Sequence, residues 1–104
     1  MPIKRYEILL PLKYNDGTFV EKAKFYETIK ELIAVFPGIT LRPEPMIGAW
    51  VHRGQTYVDT SILIQIEVED TKENRNFFVK YKETLKERFK QIEIWITGLP
   101  IDII

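Results

Sequence analysis

The stretch Gly48-Ala49-Trp50-Val51-His52-Arg53-Gly54-Gln55-Thr56-Tyr57-Val58-Asp59 holds the chain's single histidine, one of its two tryptophans, a tyrosine and an aspartate. It reads either as an active site or as a β-hairpin. Arg53-Gly54 forms a two-residue turn, because glycine tolerates the positive φ that such turns need. His52 then faces Gln55, Trp50 faces Tyr57 and Gly48 faces Asp59. Trp50 and Tyr57 become a cross-strand aromatic pair, worth roughly 0.2–1 kcal/mol over alanines. The competing reading is a His52–Asp59 dyad. In this register Asp59 lies about 13 Å along the ladder from His52 at ~3.3 Å per residue. A proton relay needs about 3 Å. The hairpin is therefore the expected structure, with His52, Tyr57 and Asp59 as its catalytic candidates and Trp50 as the ligand-binding one.

Downstream, Ser61 to Glu69 alternates, with Ile62, Ile64, Ile66 and Val68 on one face and Leu63, Gln65, Glu67 and Glu69 on the other. That is the period of a half-buried strand. Upstream, Ile39 to Arg42 is extended, and Pro43-Glu44-Pro45 removes two ladder donors, which confines this piece to an edge or a bulge. At the N-terminal end Tyr6, Ile8, Leu10 and Leu12 give a first strand, broken by Asn15-Asp16-Gly17. Thr18 and Glu21 have the spacing of a capping box. Phe25, Tyr26, Ile29, Leu32, Ile33 and Phe36 then form a helical stripe that Pro37-Gly38 stops. A second helix is expected from Asp70, with Glu73 completing a box and with Phe78, Tyr81, Leu85 and Phe89 as its apolar face. The last strand is expected over Ile92 to Thr97, with Ile92, Ile94 and Ile96 inward. Gly98 to Pro100 then reads as a turn into the tail Ile101 to Ile104.

Two amphipathic helices separated by strand pairs suit an α+β, ferredoxin-like two-layer sandwich, with both helices on one face of an antiparallel sheet. At 104 residues the chain is expected to form one domain, 1–104, able to bury a core without staples. Apolar residues make up 45% and charged residues 29%, ordinary globular values.

Fifteen basic and fifteen acidic residues leave no net field to steer the chain to nucleic acid or an anionic membrane. There is no cysteine, which removes disulfides, thiolate chemistry and cysteine metal sites. A lone histidine argues against a transition-metal site, and no glycine-rich phosphate loop or nucleophile elbow occurs. No metal or cofactor is expected. No stretch approaches the ~20 apolar residues of a membrane span, and no signal-type segment precedes the first strand. A cytoplasmic location is the expectation. Carboxylates on the exposed side of the Ser61–Glu69 strand repel phosphates, so RNA binding of the kind four-stranded sheets of this class support is not expected.

The sheet face away from the helices carries Leu9, Leu63 and Trp95, ringed by Arg5, Glu7, Gln65, Glu67 and Glu93. An apolar centre with a charged rim has the character of an interface. The isoleucines of the tail need burial too, roughly 1.5–3 kcal/mol each if complete. Leu9, Leu63, Trp95, Ile101 and Ile103 are therefore the expected contacts of a homodimer formed through the open face.

Two resemblances bear on function. Glu7-Ile8-Leu9-Leu10-Pro11-Leu12, the Gly48-Ala49-Trp50 hairpin and Glu93-Ile94-Trp95-Ile96 resemble a group of small bacterial proteins to which no activity is attached. The chain also looks like proteins of the dimeric α+β barrel type, which pair two such sheets and include monooxygenases and haem-degrading enzymes. That resemblance implies a fold and an assembly; it does not carry an activity. Met1-Pro2-Ile3 before a strand is similar to the start of tautomerase-superfamily enzymes, where a proline freed by methionine removal acts as a base. With Met1 in place Pro2 carries an amide. The expected function is a non-enzymatic homodimeric module binding a protein or small ligand. The alternative is a small barrel-type enzyme, monooxygenase-like or tautomerase-like, with a pocket near His52.

Overall fold

A computed structural model describes residues 2–104 and contains, in chain order, β1 (Ile3–Pro11), α1 (Lys22–Val35), β2 (Thr40–His52), β3 (Gln55–Glu69), α2 (Lys72–Arg88) and β4 (Ile96–Ile101). β1 and β3 are antiparallel, with Tyr6 opposite Ile66, Ile8 opposite Ile64 and Leu10 opposite Ile62. These six side chains point to one face, and the register places them together under the helices. Leu32 and Phe36, at the end of α1, and Phe78, Tyr81, Leu85 and Phe89 along α2 complete the core. The strand order is β2-β3-β1-β4, with every pairing antiparallel. The architecture is the ferredoxin-like α+β sandwich that the periodicity predicts. The Pro43–Pro45 irregularity is a register shift between Arg42 and Met46, as two missing donors require.

Lengths decide what remains uncovered. The 15 residues of β3 extend about 50 Å at ~3.3 Å each. The 17 residues of α2 extend only about 25 Å at ~1.5 Å each. The β2–β3 ribbon therefore runs past the helix layer, and every residue from 40 to 59 is exposed.

Three local expectations are corrected. Thr18 does not cap α1. Its amide and hydroxyl both donate to Asp16 Oδ1, at 2.9 and 2.6 Å, within a small hairpin closed by Tyr14 N to Thr18 O at 2.8 Å. Glu21 is drawn to the Tyr14 hydroxyl instead, so the nearer aspartate wins the threonine. For α2 the cap is Thr71 rather than Asp70, its hydroxyl accepting from Asn74 N at 3.2 Å. Finally, β4 starts at Ile96, and Gly98-Leu99-Pro100 lies inside it. An edge strand that pairs on one side only accepts both the proline and the glycine. Ile92 consequently sits in the preceding loop at 90% exposure, while Ile94 is buried.

α1 and α2 are clamped by a polar cluster on the helix layer. The Arg88 guanidinium grips Glu31 in a fork, at 2.8 Å to Oε1 and 2.9 Å to Oε2, and donates to the buried Thr28 hydroxyl at 2.9 Å. The Tyr81 hydroxyl donates to Glu31 Oε1 at 2.8 Å. Arg88 holds the Glu31 carboxyl below the ordinary glutamate range, and burial, aided by Glu31, pushes the Tyr81 hydroxyl far up.

Ile64→Ala should cost about 2–5 kcal/mol in denaturant unfolding and Ile92→Ala less than about 0.5 kcal/mol, since only the first opens a cavity. Arg88→Met should cost about 2 kcal/mol, below a fully buried pair's ~3–5 because Glu31 is partly solvated. The depressed Glu31 value means its contribution is complete above the ordinary glutamate pKa and vanishes as pH falls through the lower folded value. Acid titration of stability should therefore be shallower for Glu31→Gln than for the parent.

Candidate functional site

At the tip of the ribbon Arg53 and Gly54 have φ of 51° and 76°, both in the left-handed region. That is the two-residue turn whose twist matches the flanking strands. It fixes the pairing of Trp50 with Tyr57, His52 with Gln55 and Gly48 with Asp59, as expected from the sequence. The Trp50 and Tyr57 rings stack with centroids 4.6 Å apart and 20° between their planes. The His52 ring lies 6.2 Å from that of Trp50.

Asp59 does not pair with His52. Its Oδ2 accepts from the Trp50 indole Nε1 at 2.7 Å. Sequence reasoning missed this bond, although the register contains it. Asp59 follows Tyr57 by two on the same face, which makes it the diagonal neighbour of Trp50. Its carboxylate is thus engaged by a donor that cannot relay a proton. His52, Trp50, Tyr57 and Asp59 form a line on an exposed ribbon. Pro2, the other candidate base, is exposed and its carbonyl accepts from Asp70 N at 3.0 Å; Met1 lies outside the described residues.

The ribbon line continues onto the sheet. Beyond the bulge Met46 is opposite Ser61, so Met46, Gly48, Trp50 and His52 share the face of Leu63 and Leu9, away from the helices. Glu7, Leu9, Met46, Leu63, Trp95 and Thr97 line a shallow depression of about 230 Å³ there. Leu99 extends the apolar surface opposite Arg5, and Ile101, half-buried, lies opposite Ile3. Ile103 is exposed beyond the end of β4.

The charges beside this patch satisfy one another. Arg5 Nε meets Glu67 Oε2 at 2.9 Å, Gln65 Nε2 donates to Glu7 Oε2 at 2.7 Å, and Arg42 Nε donates to Gln65 Oε1 at 3.2 Å. The reverse face of the ribbon is also apolar, with Ile47, Val51 and Val58 each about two-thirds exposed or more. Among the described residues no three His, Asp or Glu side chains converge as a metal-ligand set. No helix is long and apolar enough to cross a membrane.

No protein-family model matches the sequence, and no curated protein is significantly similar to it. Solved structures do match. CutA1 from Oryza sativa shares 13% identity over 99% of this chain and 83% of its own, with a TM-score of 0.67. The divalent cation tolerance protein (CutA1) of Thermus thermophilus shares 17% over 97% and 85%, with a TM-score of 0.66. A phage SAM lyase in complex with S-methyl-5'-thioadenosine shares 19% over 94% and 81%, with a TM-score of 0.66. At such identities the likeness establishes the ferredoxin-like fold. One fold houses a cation tolerance protein and a lyase, so it does not choose between them.

A double-mutant cycle on Trp50→Ala and Tyr57→Ala should give a coupling of about 0.5–1 kcal/mol in denaturant unfolding, the stacking contribution of an exposed pair.

Proposed function

We propose that this chain is a non-enzymatic, self-associating module in which the open sheet face and the β2–β3 ribbon bind further copies of the chain. The observation that carries the reading is apolar surface where a lone subunit has no use for it. Met46, Trp50 and Tyr57 on one side of the ribbon and Ile47, Val51 and Val58 on the other are exposed together. A contiguous patch of this kind marks an interaction site. The open face supports it further, because Arg5 pairs with Glu67 and Gln65 bridges Arg42 and Glu7, so these groups keep partners when water leaves.

A homodimer joined face to face, with Leu9, Leu63, Trp95, Ile101 and Ile103 as contacts, is the simplest such assembly. It covers one side of each ribbon. The second apolar side favours a closed ring in which each ribbon touches two surfaces. A protein or small ligand would then be held at the edges of this assembly.

The enzyme reading, monooxygenase-like or tautomerase-like, draws no support from the placement of His52. A catalytic pocket excludes water around its reacting groups. His52, Tyr57 and Asp59 stand on a projecting ribbon, outside the depression that Leu9 and Leu63 line.

Light scattering after size-exclusion chromatography tests the proposal. The parent should elute as a dimer or a small ring at micromolar concentration. Val58→Lys and Trp50→Lys should shift it to monomer with secondary structure intact by circular dichroism. A parent that is monomeric throughout the micromolar range sinks the idea.

A further inference from the structure

The turn at the ribbon tip holds an ill-suited residue. Arg53 has a φ of 51°, in the left-handed region that glycine, asparagine and aspartate occupy most readily. A turn of this kind favours Asn-Gly, and an arginine side chain brings it no local hydrogen bond. Arg53 is exposed and takes part in no ion pair among the described residues. It is the one lysine or arginine between Pro43 and Ser61. The ribbon supplies it no carboxylate, since Asp59 is bonded to the Trp50 indole at 2.7 Å and Glu44 lies back at the bulge.

The open face holds the converse, a carboxylate without a cation. Glu7 lines the depression of about 230 Å³ together with Thr97, its β4 neighbour, while Leu9, Leu63, Met46 and Trp95 supply the apolar remainder. The Glu7 side chain accepts from Gln65 Nε2 at 2.7 Å, and Gln65, only 8% exposed, is fixed in turn by Arg42 Nε at 3.2 Å. A buried amide thus holds the carboxylate in place without neutralising it. Glu7 takes part in no ion pair among the described residues, and Arg5, two residues away on the same face, is committed to Glu67. The depression is smaller than the roughly 300–1,000 Å³ of a pocket for a drug-sized ligand, and it suits one or two side chains.

We infer that the ribbon tip of one copy seats in this depression on another, with Arg53 on Glu7 and the Trp50–Tyr57 pair over Leu9 and Leu63. The contact rests on the self-association proposed above and names the residues that make it. The two surfaces run in the same order, the ribbon from aromatic to cation and the depression from apolar to carboxylate. Three residues separate Trp50 from Arg53, about 10 Å at ~3.3 Å each, and two separate Leu9 from Glu7, about 7 Å. The long arginine stem covers the remaining ~3 Å. A guanidinium bonds a carboxylate through two parallel N–H groups, and Trp95, 65% exposed in the same depression, presents a ring to it. A two-fold pair exchanges tips and a ring passes each tip to the next copy; the contact is the same in both.

Charge exchange tests the contact, read as the dissociation constant of the full chain by sedimentation equilibrium, with circular dichroism reporting the fold. Arg53→Glu and Glu7→Arg should each weaken assembly at least about tenfold. An equimolar mixture of the two should associate more tightly than either alone, because every tip then meets a face of opposite charge. The doubly exchanged chain should return to within about threefold of the parent. Glu7→Gln, which keeps an acceptor for Gln65, should weaken assembly about tenfold with the fold intact. Arg53→Asn should weaken it too, yet leave the dissociated chain more resistant to denaturant, because asparagine suits the turn. A parent that assembles while the single variants match its affinity, or while neither the mixture nor the double exchange recovers it, overturns the Arg53–Glu7 contact and leaves self-association standing. A monomeric parent overturns both. An Arg53→Asn chain less stable than the parent would show the arginine serving its own turn, and would overturn its assignment to a second copy.

Discussion

The register of β1 against β3 is the constraint on which the rest of the molecule depends. Ile8 opposite Ile64, with Tyr6–Ile66 and Leu10–Ile62 on either side, puts six core side chains on one face of the two central strands. A slip by one residue would turn that set outward and bring Arg5, Glu7 and Gln65 under the helices. Burying those charges is far costlier than any gain from an exposed isoleucine. The hydrophobic pattern thus chooses the register, the register chooses the helix-bearing face, and everything functional is assigned to one face or the other by parity along these strands.

The same pair explains why part of the chain has no core to join. Antiparallel strands can be as long as their ladder allows, but only the length under the helices is covered. β3 and its partner β2 keep alternating beyond that boundary, with Trp50 stacked on Tyr57 and Val51 set against Thr56. An isolated two-stranded ribbon is marginal in water. Here it is held at its base by the sheet and at its tip by the Arg53-Gly54 turn. Its two sides nonetheless expose apolar residues, Trp50 and Tyr57 on one and Ile47, Val51 and Val58 on the other, unlike an ordinary solvated loop.

Much of this was legible in the sequence. Period two along Ile62–Val68 and period 3.6 along Phe78–Phe89 define the layers, and a glycine after Arg53 defines the hairpin register to the residue. What failed to show had specific causes. Thr18 had two acceptors in reach, and sequence spacing alone does not rank Asp16 above a helix amide. Gly98-Leu99-Pro100 carries turn residues, and only the edge position of β4 makes them acceptable in a strand. The Arg88–Glu31–Tyr81 clamp joins residues of two helices about 50 or more apart in sequence, which no local spacing brings together. The Trp50–Asp59 bond follows from the register, but it is a diagonal contact that the directly opposed pairs do not display.

The two sides of the sheet differ in how their charges are settled. With equal numbers of acids and bases, the chain could have paired every ion. On the open face Arg5 pairs with Glu67, and Gln65 bridges Arg42 and Glu7, beside Leu9 and Leu63. A protein surface can dock there without stranding a charge. Beneath α2 the charges are left open. Lys4 and Arg75 line the surface there and take part in no ion pair among the described residues. Tyr6 packs into the core under α2 while Arg5 and Glu7, its neighbours in β1, face the other way, so a single strand serves both the core and the open face.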